Sequence, residues 1–142
     1  MATQKEHIEK NFTEADYNKI TDLIISAAIE VHKELGPGLL ESVYEVCLVA
    51  AMRERGLFVS RQVVLPVFYK GEQLNKEFVI DILVNDLIVL ELKAIEVLLP
   101  IHEAQLVTYL KLSNKKLGLL INFNVKLLKE GLRRKINGYF TE

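Results

Sequence analysis

From about Thr13 to Leu35, Ile20, Ile24, Ala27, Val31 and Leu35 recur at helical spacing, which predicts an amphipathic helix. Thr13 or Asp16 can serve as its N-cap, Gly36 supplies the stop, and Pro37 bars continuation. A second amphipathic helix is expected from about Leu39 to Arg55, burying Leu40, Val43, Tyr44, Cys47, Leu48 and Ala51 and ending at Gly56. The period then changes. Residues 57–69 are rich in Val, Leu and Phe and read as a strand, with Pro66 implying an edge or a bulge because it cannot donate to a ladder. Lys70-Gly71-Glu72 reads as a turn, and Phe78–Val84 and Leu87–Ala94 as two further strands joined at Asn85-Asp86. Pro100 opens a helix to about Leu112, with Ile101, Ala104, Val107 or Thr108, and Leu110 facing inward. Leu117–Phe123 is apolar throughout, as expected of a central strand covered on both faces. Lys126–Phe140 fits either a helix or a short edge strand at Leu132–Ile136. Residues 1–12 read as a polar tail ahead of a single domain, 13–142. The order of elements predicts an α/β fold, a mixed sheet flanked by helices, and not a repeating βαβ wheel.

Half of the 142 residues are hydrophobic and 26% are charged, the balance of a soluble domain with one core. Cys47 is the only cysteine, which excludes an intramolecular disulfide and a cysteine pair for metal or redox chemistry. The polar N-terminus lacks the apolar stretch of a signal peptide, and no apolar run approaches the roughly 20 residues that span a bilayer. A cytoplasmic protein is the expectation. The net charge of −1 hides an asymmetry: Lys111, Lys115, Lys116, Lys126, Lys129, Arg133, Arg134 and Lys135 face one acid, Glu130, giving +7 over 111–135 and leaving −8 elsewhere. Such segregation suggests a surface that meets a polyanion. A solvated basic edge that deters sheet-to-sheet aggregation is the other reading.

The apolar strands carry three ionisable residues, Asp81 on one and Glu91 and Lys93 on the next. Burying a charge without a partner costs several kcal/mol or shifts its pKa, so these residues need a compensating ion. A divalent cation between two carboxylates is the simplest. Alternation puts Glu91 and Lys93 on one face. A two-residue loop at Asn85-Asp86 would set Asp81 against Leu90, whereas a three-residue loop, 85–87, sets Asp81 against Glu91 and Val79 against Lys93. The chemistry requires the longer loop, and that register is the expectation. Asp81 and Glu91 would then offer oxygen ligands suited to Mg²⁺, with Mn²⁺ as a substitute, and Lys93 would stand beside the attacking water. A metal-free cluster of ion pairs at the sheet rim is the bland alternative.

Glu41 lies near the start of the second helix, where an acid also simply complements the macrodipole. Gln105 and Tyr109 are four apart and share a helix face, able to hydrogen-bond a phosphate or a metal-bound water, or merely to form a polar stripe. His32 reads as a helix-end partner, His102 as exposed, and Cys47 as a small core residue.

Gly38-x-x-Glu41-x-x-Tyr44, followed by Asp81, Glu91-Leu92-Lys93 and Gln105-x-x-x-Tyr109, resembles the GxxExxY family, grouped with the PD-(D/E)xK nuclease superfamily. The resemblance extends from about Asp22 to Gly138 and implies an αβββαβ restriction-endonuclease-like core, here with an extra N-terminal helix. It implies that Asp81 and Glu91 bind metal, that Lys93 is catalytic, and that Glu41 completes the site as the helical acid. Gln105 and Tyr109 resemble an additional motif of an exonuclease branch. Ile80 stands where the superfamily's name puts Pro. The expected function is Mg²⁺-dependent hydrolysis of DNA, with basic residues of 111–135 on phosphates. The alternative is a catalytically silent nucleic-acid- or protein-binding module that keeps the fold. With a net charge near zero, a homodimer or a partner is expected to supply further contacts.

Overall fold

In the computed structural model, which describes residues 12–140, Thr13 caps the first helix, α1 (Glu14–Leu35). Its hydroxyl accepts from the Asp16 amide at 3.2 Å while the Asp16 carboxylate accepts from the Thr13 amide at 2.9 Å, a reciprocal capping box. The expected polar tail lies outside the described residues except for Phe12, which packs against the core. After a turn at Gly36–Gly38 come α2 (Glu41–Glu54), β1 (Val59–Tyr69), β2 (Glu72–Val84) and β3 (Ile88–Lys93). Then follow α3 (Pro100–Ser113), β4 (Leu117–Asn122), a 3-10 turn at Leu128–Gly131 and β5 (Leu132–Ile136). The C-terminal segment, open to either helix or strand on its pattern, therefore resolves into an edge strand.

The five strands lie in the order β1-β2-β3-β4-β5. All neighbours are antiparallel except β3 and β4, which are parallel and joined through α3. This is a mixed sheet flanked by helices, as expected for a restriction-endonuclease-like α/β fold. Ile82, Val84, Ile88, Leu90, Leu92, Leu119 and Ile121 pack with Ile24, Ala27, Tyr44, Leu48 and Met52 of α1 and α2 on one face. Leu83, Val89 and Leu120 pack with Leu106 and Leu110 of α3 on the other. β4 is buried along its whole length because both layers cover it. A Cβ on Gly118 would sit 2.8 Å from Leu106 Cδ1, so glycine there lets α3 approach the sheet closely. Pro66 lies on an edge strand and beside a bulge: between the pairs Pro66↔Glu77 and Phe68↔Gln73, one residue of β1 opposes three of β2.

Two expected core stripes are corrected. Leu40 is 73% exposed and Val43 38% exposed, because Leu40 precedes the first turn of α2 and the buried stripe runs through Tyr44, Glu45, Leu48, Val49, Ala51 and Met52. In α3 the inward residues are Leu106 and Leu110, one turn apart against Gly118, while Ile101 is 67% exposed and Ala104 and Thr108 face solvent. Among the described residues, no helix is long and apolar enough to cross a membrane.

Candidate active site

The β2–β3 connection contains three residues, Asn85–Leu87, with Val84 paired to Ile88. Asn85 and Asp86 take left-handed conformations (φ 52° and 57°), which Asn and Asp tolerate better than other side chains. Asn85 is further held by exchanging hydrogen bonds with the Phe58 backbone, its amide donating at 2.7 Å and its Oδ1 accepting at 2.8 Å. The odd loop length sets the register Ile82↔Leu90, and continuing it puts Asp81 opposite Glu91.

At that point backbone pairing between the two strands ends and carboxylates take its place. The Leu92 amide donates to Asp81 Oδ2 at 2.8 Å, and the Asp81 amide donates to Glu91 Oε1 at 3.3 Å. Glu91 is 6% exposed. Burial, and then the charge of Asp81, push its carboxyl up to about 8, against the Asp81 amide that favours the anion. Burial also raises Asp81, opposed by the Leu92 amide and reinforced by Glu45. Lys93, at the end of β3 opposite Asn122, favours both anions without restoring either to an ordinary value. The pair therefore holds negative charge only at a cost, and a bound cation would remove that cost.

Glu41 is exposed at the first turn of α2 and lines a cavity of about 210 Å³ together with Ser42, Glu45, Gln62, Asp81 and Leu92. Its position follows from the loop before it. Tyr44, fully buried, donates its hydroxyl proton to Gly36 O at 2.6 Å and accepts from the Leu39 amide at 3.1 Å. Its ring stacks on Phe123 at 4.5 Å with an interplanar angle of 5°. Gly36 and Gly38 have φ of 70° and 97°, which glycine adopts without a Cβ conflict. In the Gly38–Glu41–Tyr44 motif, glycine and tyrosine thus shape the loop that presents the acid.

On α3, Gln105 Nε2 donates to Tyr109 OH at 3.3 Å. Burial, and then the charges of Glu91 and Asp81, raise the Tyr109 hydroxyl. Glu41 and Asp81 thus line one cavity, Asp81 and Glu91 share the split between β2 and β3, and Gln105 is joined to Tyr109 on α3, but the three acids do not close into one group. Among the described residues, no group of three or more His, Cys, Asp and Glu is set to hold a metal by itself. Two facing carboxylates fit a hard cation that keeps several waters, the habit of Mg²⁺.

The basic segment 111–135 is not one surface. Lys115 pairs with Asp86 at 3.5 Å at the turn end of the sheet, away from Lys93. Lys135 pairs with Glu103 at 2.6 Å, and Arg134 reaches Asn18 at 2.9 Å and Glu14 at 3.7 Å. Alternation along β5 and the helix before β4 send these side chains in different directions. Lys126 and Lys129 are exposed beyond the C-terminal end of β4, which runs parallel to β3 and so ends on the side of Lys93.

Asn122 and Glu45 are not marked by the sequence, whereas His32, His102 and Cys47 are and take structural places. Asn122, 1% exposed, accepts from the Ile95 and Asn124 amides at 3.0 and 3.3 Å and donates to Ile95 O at 2.9 Å, fixing the chain as it leaves Lys93. His32 donates to Val125 O at 2.7 Å, tying α1 to the segment after β4. His102 accepts from the Leu99 amide at 2.9 Å at the start of α3, and Cys47 is half-buried against the core. Glu45 is buried and holds Arg61 and Gln62 on β1. A single charge within the apolar stripe of the second helix was the available clue.

Residues 18–135 match the family model of the PD-(D/E)XK nuclease superfamily, and the chain belongs to that superfamily. No curated protein and no solved structure matches it.

Proposed function

We propose that this member of the PD-(D/E)XK nuclease superfamily is a Mg²⁺-dependent nuclease that hydrolyses phosphodiester bonds of DNA. The observation that carries the reading is the Asp81–Glu91 pair: where β2 and β3 part, each carboxylate accepts a backbone amide of the other strand, and Glu91 is 6% exposed. Asp81 and Glu91 would hold the ion, and exposed Glu41 would face its water shell from α2. A divalent cation supplies charge stabilisation at phosphorus and a bound water of lowered pKa. Lys93, two residues beyond Glu91 on the same strand, orients the attacking water and stabilises charge on the phosphoryl oxygens. Gln105 and Tyr109 present an amide and a hydroxyl from the opposite side, suited to a phosphate oxygen or a water. Lys126 and Lys129 lie at the same end of the sheet and are the cations best placed to meet the nucleic-acid backbone. The Gly38–Glu41–Tyr44 loop supports a place in the GxxExxY group.

Cleavage of labelled single- and double-stranded DNA and RNA by purified protein tests the proposal. Activity with Mg²⁺ or Mn²⁺, absent with chelator and in Lys93→Ala, is expected; intact substrates under all metal conditions contradict it. The alternative is a catalytically silent nucleic-acid- or protein-binding module that keeps the fold. That alternative predicts salt-dependent binding indifferent to metal.

A further inference from the structure

Glu45 is only 8% exposed, yet it is a charged residue in the buried stripe of α2. Both its oxygens are occupied by β1. Oε2 accepts from Arg61 Nη2 at 2.7 Å and Nε at 3.2 Å, and Oε1 accepts from Gln62 Nε2 at 2.7 Å. Gln62 has φ of 50°, inside a strand, where a side chain with a Cβ is strained. The ladder pairs Arg61 with Ile82 and Val63 with Ile80, so Gln62 is the residue opposite Asp81. Asp81 itself is the point at which β2 turns over. Residues two apart on a regular strand share a face, but Ile82 packs with α1 and α2 while Ile80 packs with α3. The strain at Gln62 and the turnover at Asp81 thus lie side by side, and the buried clamp from Glu45 sits on the strained residue.

We propose that Glu45 is a positioning residue for Asp81. By holding Gln62 in the left-handed conformation, it fixes the turnover of β2 and so the direction in which the Asp81 carboxylate points. Arg61 offsets the charge of Glu45, which allows the carboxylate to stay in the layer between helix and sheet. The device does not require the nuclease reading; only its effect on metal affinity rests on that reading.

The test compares Glu45→Ala, Glu45→Gln and the double variant Glu45→Ala/Gln62→Gly by amide exchange in metal-free protein and by Mn²⁺ titration. In Glu45→Ala the Asp81 and Leu92 amides, which bond to the facing carboxylates, exchange faster while the Leu83 amide does not. Mn²⁺ affinity falls about tenfold, as for loss of a residue that orients a ligand. The double variant recovers both, because glycine takes the left-handed conformation without a clamp. Glu45→Gln, which keeps the bond to Gln62, stays near wild type in exchange. Unchanged exchange in Glu45→Ala overturns the proposal, and so does a loss that Gln62→Gly does not repair. If Glu45→Ala does not fold, Gln62→Ala against Gln62→Gly decides: the first is expected to speed exchange at Asp81 and the second to preserve it, and equal behaviour overturns the proposal. Wild-type protein that binds no Mn²⁺ removes the metal reading, and the exchange data then decide the positioning role alone.

Discussion

The amide of Asp81 donates to the carboxylate of Glu91 at 3.3 Å across the split between β2 and β3. One carboxylate thus satisfies the backbone of the residue whose own charge opposes its ionisation. The consequence is a defined pH dependence. Glu91 is raised from 4.5 to about 8 by burial and by Asp81, so the folded protein favours its protonated form. Its contribution to stability is complete below about 4.5, declines as pH rises, and is lost above about 8. Metal-free protein is expected to lose on the order of a few kcal/mol from this group over that window, and Glu91→Gln to lose less. Denaturant unfolding of both proteins from pH 5 to 9 measures the difference. Parallel curves contradict the account.

Tyr44→Phe keeps the ring on Phe123 and removes the hydroxyl that joins Gly36 to Leu39. The half-buried Gly36 carbonyl and the exposed Leu39 amide lose this partner to water, at a cost of about 0.5–1.5 kcal/mol. Unfolding free energy should fall by that amount, and amide exchange should quicken at Leu39 ahead of the core of α2.

Gly118→Ala places a Cβ 2.8 Å from Leu106 Cδ1. Overpacking of this kind costs about 1–3 kcal/mol. Leu106→Ala alone should destabilise by leaving a cavity, but combined with Gly118→Ala it should cost less than the two separate effects together. A double-mutant cycle in thermal unfolding reads the coupling; strict additivity contradicts the close packing.

Lys126→Gln/Lys129→Gln should weaken nucleic-acid binding and reduce the slope of log affinity against log salt by about 2. Lys115→Gln should leave that slope unchanged and lower stability instead, because Lys115 is buried and paired with Asp86. Binding measured at several salt concentrations separates the two. A smaller slope for Lys115→Gln contradicts the placement of the phosphate-facing end.

The order of elements was open to sequence reading because the apolar period switches at Gly56 and again at Pro100. The register of the key hairpin was open too, since only an odd loop sets Asp81 against Glu91. Other features arise from contacts far apart in the chain. Nothing near Gln62 in sequence indicates a clamp from Glu45, 17 residues earlier. Nor does an apolar run announce that Asn122 secures the backbone after Lys93. In α3, Leu110 faces inward as its spacing predicts, but Ile101 continues the helical pattern by spacing alone, whereas the close approach at Gly118 selects Leu106 beside Leu110. The basic residues of 111–135 count as one block in sequence, but the fold spends Lys115, Arg134 and Lys135 on internal ion pairs.

The facing carboxylates are the centre of the account, and Mn²⁺ soaked into crystals tests them most directly through its anomalous signal. The account predicts a peak bound by Asp81 and Glu91 beside Lys93, and no peak there in Asp81→Asn. A wild-type site without the ion, or an ion held elsewhere with Asp81 and Glu91 uninvolved, would contradict it.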